Sequence, residues 1–179
     1  EESHYSKDTQ SDYVGALCTR VKSLTNGIYG SVLCAEDALS DAEMFDQNVI
    51  VDLSRVGSME TKSLLMGILV MKLQEYRMCS SGMNSRLRHV TVLEEAHNLL
   101  RKTSAEQSQE GANLQGKSVE MLANAIAEMR TYGEGFIIAD QAPGLLDMSV
   151  IRNTNTKIIL RLPDEEDRKL VGKSAALKE

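Results

Sequence analysis

Four short, continuous apolar runs constrain the fold of this chain more than any other feature of its sequence. They are NVIVDLS, HVTVL, FIIAD and KIILRL, at residues 48–54, 89–93, 136–140 and 157–162. Each contains β-branched residues and has the length of a buried strand. Several of the segments between them carry apolar residues every three or four positions, which predicts helices. Strands that alternate with helices predict an α/β domain with a mainly parallel sheet flanked by helices.

Helices are predicted on both sides of these runs. One extends from Ser58 to Met78 with Ser58 as its N-cap, and another covers residues 118–131. In DEEDRKLVGK, residues 164–173, acids precede bases, which suits the dipole of a final helix. A shorter helix over Asp12–Leu24 comes before the first strand. We therefore divide the chain into a helical or irregular lead-in, residues 1–47, which can be the tail of a helical insert, and a domain over residues 48–179.

Composition narrows the class of protein. The chain has 179 residues, 42% of them apolar, which is enough for one domain with a core. Its net charge of −6 gives no general attraction to nucleic acid or anionic membranes. The three scattered cysteines are not paired with histidine at metal spacing, which indicates a reduced, intracellular protein. The longest apolar run, LLMGILVM, is too short to span a membrane. Because the chain opens on Glu1 in a polar segment and closes on SAALKE, we expect it to be part of a larger protein.

The stretch GANLQGKS, residues 111–118, matches the phosphate-loop pattern GxxxxGK[ST]. A phosphate loop leaves the end of a buried strand and enters a helix, so that backbone amides and the helix dipole meet the phosphates. A helix does follow at Ser118, but the residues before it are polar and contain no strand. We predict a flexible polar loop over residues 101–117 and interpret the match as chance. The alternative is a permuted nucleotide-binding protein that uses Lys117 near Glu94.

Two acids follow the second apolar run directly, in HVTVLEEAH. An acid at the end of a strand can hold Mg²⁺, usually through water, and a neighbouring acid can orient and deprotonate an attacking water. Glu94 would take the first role and Glu95 the second. The alternative is that both glutamates begin a helix, where the dipole favours them.

Two further polar residues lie at ends of predicted elements. Gln141 follows the third strand, at the edge of a parallel sheet where ligands bind, and could sense a γ-phosphate or position water. It could equally be a turn residue before Pro143. Arg130 lies near the end of the helix that precedes the third strand. Besides a functional role, it could simply be an exposed cation that interacts favourably with the helix dipole.

Taken in order, VIVDLS, VTVLEEAHNLL, EMRTYGEGFIIADQAPGLL and NTNTKIILRLPDEEDRK resemble the HerA/FtsK group of ring-forming P-loop ATPases and its relatives in conjugation and type IV secretion. The resemblance covers residues 48–169. It implies an incomplete RecA-like core from which the Walker A part is absent, because the family's phosphate loop lies upstream of VIVDLS.

The resemblance also implies a role for each candidate residue. Glu94 corresponds to the Walker B acid, with glutamate in place of the commoner aspartate, and would bind Mg²⁺ through water. Glu95 corresponds to the catalytic glutamate and Gln141 to the sensor glutamine. Arg130 corresponds to the arginine finger of the family's RKYG segment. Thr131 stands here where the family has lysine, which puts a second cation in doubt.

The function implied is that of an ATP-hydrolysing motor that uses ATP and Mg²⁺. By the same resemblance, the larger protein would form a hexameric ring and move DNA or a secreted protein, in the cytoplasm or at the inner face of the membrane. The chain alone is expected to be inactive. The alternative from another class is an assembly or binding module that keeps an ATPase-like fold without catalysis.

Overall fold

A computed structural model describes residues 7–102 and 109–176, and the chain divides into two compact units between Ser40 and Asp41. The first unit contains α1 (Lys7–Leu24) and α2 (Gly27–Leu33). The helix predicted from Asp12 is therefore confirmed and begins earlier, at Lys7. Its apolar residues Val14, Leu17 and Val21 are more than half exposed.

The second unit has mixed helix and strand content. Its helices are α3 (Asp41–Phe45), α4 (Met59–Ser80), α5 (Gln109–Met129), α6 (Met148–Asn153) and α7 (Glu165–Ser174). Its strands are β1 (His89–Glu94) and β2 (Glu134–Ala139), and short 3-10 helices cover Ala96–Asn98, Arg130–Tyr132 and Pro143–Leu145.

Helix α4 forms where the sequence predicts it. The hydroxyl of Ser58 accepts a hydrogen bond from the backbone N–H of Thr61 at 3.3 Å, which caps the helix. Its buried stripe consists of Met66, Val70, Leu73 and Arg77, spaced three or four residues apart.

Helix α7 begins as predicted, too. Asp164 is its N-cap and accepts from the backbone N–H of Asp167 at 3.0 Å. Three acids occupy the first turn and a lysine the last, as the helix dipole favours.

The sheet described consists of β1 and β2, which run parallel and pair from His89↔Glu134 to Glu94↔Ala139. Helix α5 lies between them in sequence and packs on α4 and β2. The core between helices and sheet contains Phe45, Met66, Val70, Leu73, Leu93, Ala96, Leu99, Leu100, Val119, Ala123, Met129, Leu146, Val150 and Ile151. The parallel pairing of the two strands and the helices packed on them agree with the predicted α/β class.

One face of the sheet is not covered by the described residues. Leu93, Phe136 and Ile138 belong to the core or pack against it, whereas Val92 and Ile137 on the alternate positions are 55% and 54% exposed. Parallel sheets in globular proteins normally have both faces covered.

Two of the four predicted strands do not form among the described residues. Residues 48–53 and 157–162 carry no regular secondary structure, and Ile50, Ile158 and Leu160 are 94%, 88% and 84% exposed. Both runs have the composition of a strand. A strand also needs a neighbour for its backbone hydrogen bonds, and the described part of the chain pairs neither run.

The prediction for residues 101–117 is also corrected. Helix α5 begins at Gln109, so GANLQGKS lies inside a helix and not in a loop that enters one. Alanine, leucine, glutamine and lysine in this stretch favour helix strongly enough to accommodate two glycines, each of which costs about 1 kcal/mol. Residues 103–108 of the predicted loop lie outside the described residues. None of the helices described is both long and apolar enough to cross a membrane.

Candidate functional site

The ends of β1 and β2 bring three of the predicted site residues to one edge of the sheet. Glu94 is the last residue of β1 and pairs with Ala139, the last residue of β2. Glu95 and Gln141 follow these two ends and, like Glu94, have exposed side chains. Carboxyl ends of parallel strands are the common position of ligand sites in α/β folds.

The backbone turns sharply at Glu95. This residue has φ 47° and ψ 48°, in the left-handed region that non-glycine residues seldom adopt, at a cost of about 1–2 kcal/mol. The 3-10 helix Ala96–Asn98 begins here, and the side chain of Asn98 donates to the carbonyl of Glu95 at 3.0 Å and to its carboxylate at 3.3 Å. The alternative interpretation, that the two glutamates begin a helix, holds only for this short 3-10 helix, of which Glu95 is the N-cap.

A buried aspartate joins the two loops that follow the strands. The side chain of Asp140 is 3% exposed, and its Oδ2 accepts from the backbone N–H of His97 at 2.8 Å and lies 2.9 Å from His97 Nδ1. Its Oδ1 accepts from the backbone N–H of Ala142 at 2.9 Å. The sequence interpretation assigned no role to His97 or Asp140. The available signal was that Asp140 is the last residue of the run FIIAD and that His97 lies four residues after HVTVL.

Arg130 does not join this group. It is exposed and lies in the 3-10 helix that precedes β2, at the amino end of the sheet. The length of β2 separates it from Gln141 by about 20 Å at 3.3 Å per residue. Arg130 therefore cannot act on the same ligand as Glu94 and Glu95 of its own chain.

Beside His97 lies an open groove of about 1350 Å³ between α4, α5 and residues 97–102. Its lining includes the apolar side chains of Leu64, Ile68 and Leu122, together with His97, Arg101 and Lys102. The groove is thus largely apolar, with cations near the carboxyl edge of the sheet.

The residues present fit Mg²⁺ only as part of a larger site. Among the described residues, no cluster of three or more His, Cys, Asp or Glu side chains could hold a metal ion. Glu94 offers an exposed carboxylate at the end of β1. Mg²⁺ commonly takes one or two carboxylates and completes its shell with water and substrate phosphates, so one such oxygen ligand suits it.

A second polar cluster, at the amino edge of the sheet, is buried. Arg77 is 4% and Glu134 1% exposed, and Arg77 Nε donates to Glu134 Oε2 at 2.8 Å. The other oxygen of Glu134 accepts from the Thr91 hydroxyl at 2.7 Å and lies 2.8 Å from His89 Nδ1. No buried polar side-chain atom lacks a partner in the described chain.

The outer part of this cluster shifts three pKa values. The hydrogen bond from the Tyr76 hydroxyl to Asp46, at 2.5 Å, and a second from Arg77 lower the pKa of Asp46. The same contact raises the pKa of Tyr76. Burial acts to lower the pKa of Arg77, but its hydrogen bonds to Asp46 and Glu134 outweigh burial and the pKa is raised. Arg77 also donates to the carbonyl of Phe45. We assign this cluster to stability.

No protein-family model, curated protein or solved structure matches this chain. Only the geometry of the candidate site and the sequence motifs therefore indicate its function.

Proposed function

We propose that this chain is the Walker B part of an ATP-hydrolysing ring motor similar to the HerA/FtsK group, with an incomplete RecA-like core. The observation that carries the proposal is the common edge: Glu94, Glu95 and Gln141 follow two parallel strands that pair in register. Acids at a strand end and a polar residue after the next strand can supply the Mg²⁺ contact and the water-positioning groups that phosphoryl transfer uses.

Each residue has a role in this proposal. Bound Mg²⁺ would neutralise charge on the phosphates, and the exposed carboxylate of Glu94 would hold one of its waters. Glu95 would orient the attacking water and accept its proton. Gln141, which follows the neighbouring strand, would hold the same water or contact the γ-phosphate.

Arg130 fits the proposal only across a subunit interface. It is exposed at the edge of the sheet opposite the acids, so a neighbouring copy would have to bring its own Arg130 to the phosphates. Rings form when such head-to-tail interfaces close. An arginine supplied in this way contributes about 10³- to 10⁵-fold to phosphoryl transfer.

The exposed apolar surfaces support an incomplete core. Val92 and Ile137 lie on the uncovered face of the sheet, and Ile158 and Leu160 lie in an unpaired run with strand composition. Further strands and helices would cover these side chains and would bring the phosphate loop. DNA or a secreted protein remains the proposed substrate of the complete motor.

Nucleotide binding by the 179-residue chain tests the position of the phosphate loop. We expect little binding of a fluorescent ATP analogue with Mg²⁺, no ATP turnover, and no effect of Lys117→Ala. GANLQGKS lies inside helix α5 and is preceded by two further helical residues, not directly by a strand, which agrees with this expectation. Tight binding that Lys117→Ala abolishes would instead establish the permuted nucleotide-binding protein.

The catalytic roles are tested in the complete protein that carries this chain. Glu95→Gln should lower ATP turnover by about 100-fold or more, because it removes the proton acceptor. Arg130→Ala should do the same through loss of charge stabilisation. Full function in the Glu95→Gln variant would indicate the non-catalytic assembly module.

Mixed rings provide a sharper test of Arg130. Suppose that Arg130 acts on the neighbouring subunit and that Glu95→Gln and Arg130→Ala subunits are mixed equally. About a quarter of the interfaces would then join an intact Glu95 on one subunit to an intact Arg130 on the next. Turnover should then exceed that of either variant alone. If Arg130 acted within its own subunit, every site would carry a defect and mixing would restore nothing.

A further inference from the structure

The carboxylate of Asp140 connects the two loops that carry the proposed catalytic residues. Asp140 lies directly before Gln141, and His97 lies two residues after Glu95. One oxygen of Asp140 contacts both the backbone N–H and the ring Nδ1 of His97, at 2.8 and 2.9 Å. The other oxygen accepts from the backbone N–H of Ala142 at 2.9 Å. A side chain that is 3% exposed thus connects the loops after β1 and β2.

The loop after β1 needs such a restraint. Glu95 has φ 47° and ψ 48°, and non-glycine residues keep this conformation only where the surroundings enforce it. Ala96 is completely buried on one side of the turn. On the other side, the backbone N–H of Asn98 donates to the carbonyl of Glu95 at 2.9 Å. The contact of His97 with Asp140 ties this turn to the loop after β2.

The contact also determines the state of the imidazole ring. An ionised carboxylate only accepts hydrogen bonds, so Nδ1 of His97 must carry a proton to form the contact. A backbone donor and a ring donor on one residue then face the same oxygen. This arrangement orients His97 and the turn before it as one unit.

We propose that Asp140 and His97 form a clasp that positions Glu95 against Gln141. Both are positioning residues, since their contacts are with each other and with the loops. The catalytic meaning of the clasp rests on the proposed function, whereas its geometry can be tested in the chain itself.

The first test is nuclear magnetic resonance on the 179-residue chain. In the wild type, the ring of His97 should show the tautomer or cation that carries a proton on Nδ1. Asp140→Asn keeps one acceptor oxygen and replaces the other with an amide N–H₂ group. Whichever way the amide is oriented, this group faces a backbone N–H of one of the two loops, and the hydrogen bond to that loop is lost. We expect the backbone amide signals of Glu95 and Gln141 to shift in either orientation, and the Nδ1–H signature of His97 to be lost in the orientation that turns the amide N–H₂ toward His97.

Asp164→Asn is the matched control. Asp164 also accepts a backbone hydrogen bond, but at the start of α7. This variant should leave the signals of His97, Glu95 and Gln141 unchanged. A His97 ring with its proton on Nε2 alone in the wild type, or an Asp140→Asn variant in which Glu95 and Gln141 keep their signals, overturns the clasp.

The second test uses ATP turnover by the complete protein. Asp140→Asn should lower kcat by about 10- to 100-fold while the KM for ATP changes little, as expected when a reacting group is misplaced. His97→Asn should retain a larger share of kcat than His97→Ala, because its amide N–H can still donate to Asp140. Equal loss in both His97 variants would overturn the positioning role and indicate ring chemistry.

The two proposals can fail separately. If the wild-type complete protein hydrolyses no ATP, the proposed function fails, and the magnetic resonance test still decides whether the clasp exists. If the wild type is active and Asp140→Asn has normal kcat, the clasp fails as a positioning device while the proposed function stands.

Discussion

The two ends of the same short sheet are built in opposite ways. At the amino edge, Arg77 and Glu134 are buried, and the second carboxylate oxygen of Glu134 is also occupied. At the carboxyl edge, Glu94, Glu95 and Gln141 are exposed, and the backbone at Glu95 is held in an unfavourable conformation. The first arrangement stabilises the fold. The second leaves acids accessible to a ligand.

This difference shows why charge alone is a poor guide to function. Glu134 has more hydrogen-bond partners than Glu94, but all of them are protein groups that occupy its oxygens. Exposed carboxylates at a strand end, next to a strained turn, have free coordination capacity. Strain that the fold maintains is more often associated with active sites than with structural clusters.

The largest expected effect comes from breaking the buried pair. Glu134→Ala removes the buried one of the two carboxylates that pair with the Arg77 guanidinium, which should lower the free energy of unfolding by about 3 kcal/mol, since Asp46 remains as a partner. Urea unfolding followed by circular dichroism measures this. Glu94→Ala, at the exposed end, should stay within about 0.5 kcal/mol of the wild type. Equal losses for the two variants would contradict the division between a structural and a functional edge.

A smaller effect should reveal the strain at the carboxyl edge. Because position 95 has a positive φ, Glu95→Gly should be more stable than Glu95→Ala by about 1 kcal/mol. In the regular helix α5 the order should reverse, with Glu120→Gly less stable than Glu120→Ala by about 1 kcal/mol. The difference in free energy of unfolding within each pair is the measurement. The same sign at both positions would show that Glu95 is not strained.

The smallest effect concerns the outer part of the amino-edge cluster and depends on pH. Hydrogen bonds from Tyr76 and Arg77 lower the pKa of Asp46, so the folded state favours its ionised form. The resulting stability is present above the unfolded pKa of about 3.9 and is lost as pH falls through the lower folded pKa.

Asp46→Asn should therefore destabilise the chain at pH 7 and lose this effect in the acid range. The side chain is 50% exposed, so the difference should be less than about 1 kcal/mol. Denaturant unfolding of both proteins at pH 7 and below pH 3 provides the comparison. A difference that persists unchanged below pH 3 would contradict the assignment to the charge of Asp46.

Local patterns in the sequence determined several elements of this protein. Apolar spacing and an N-cap serine predicted α4, the order of acids and bases predicted α7, and two apolar runs predicted β1 and β2. These features depend on residues close together in the chain. The positions of Glu94, Glu95 and Gln141 at strand ends followed from the same local information.

Only the tertiary structure decided the rest. Residues 48–53 and 157–162 have the composition of strands but remain unpaired in the described chain, because pairing depends on a neighbour and not on composition. The contacts of Arg77 with Glu134 and of His97 with Asp140 join residues 57 and 43 positions apart. Sequence patterns relate residues a few positions apart and do not predict such contacts. The fold brings these side chains together, and their burial and shared hydrogen bonds give one pair a structural role and the other its proposed positioning role.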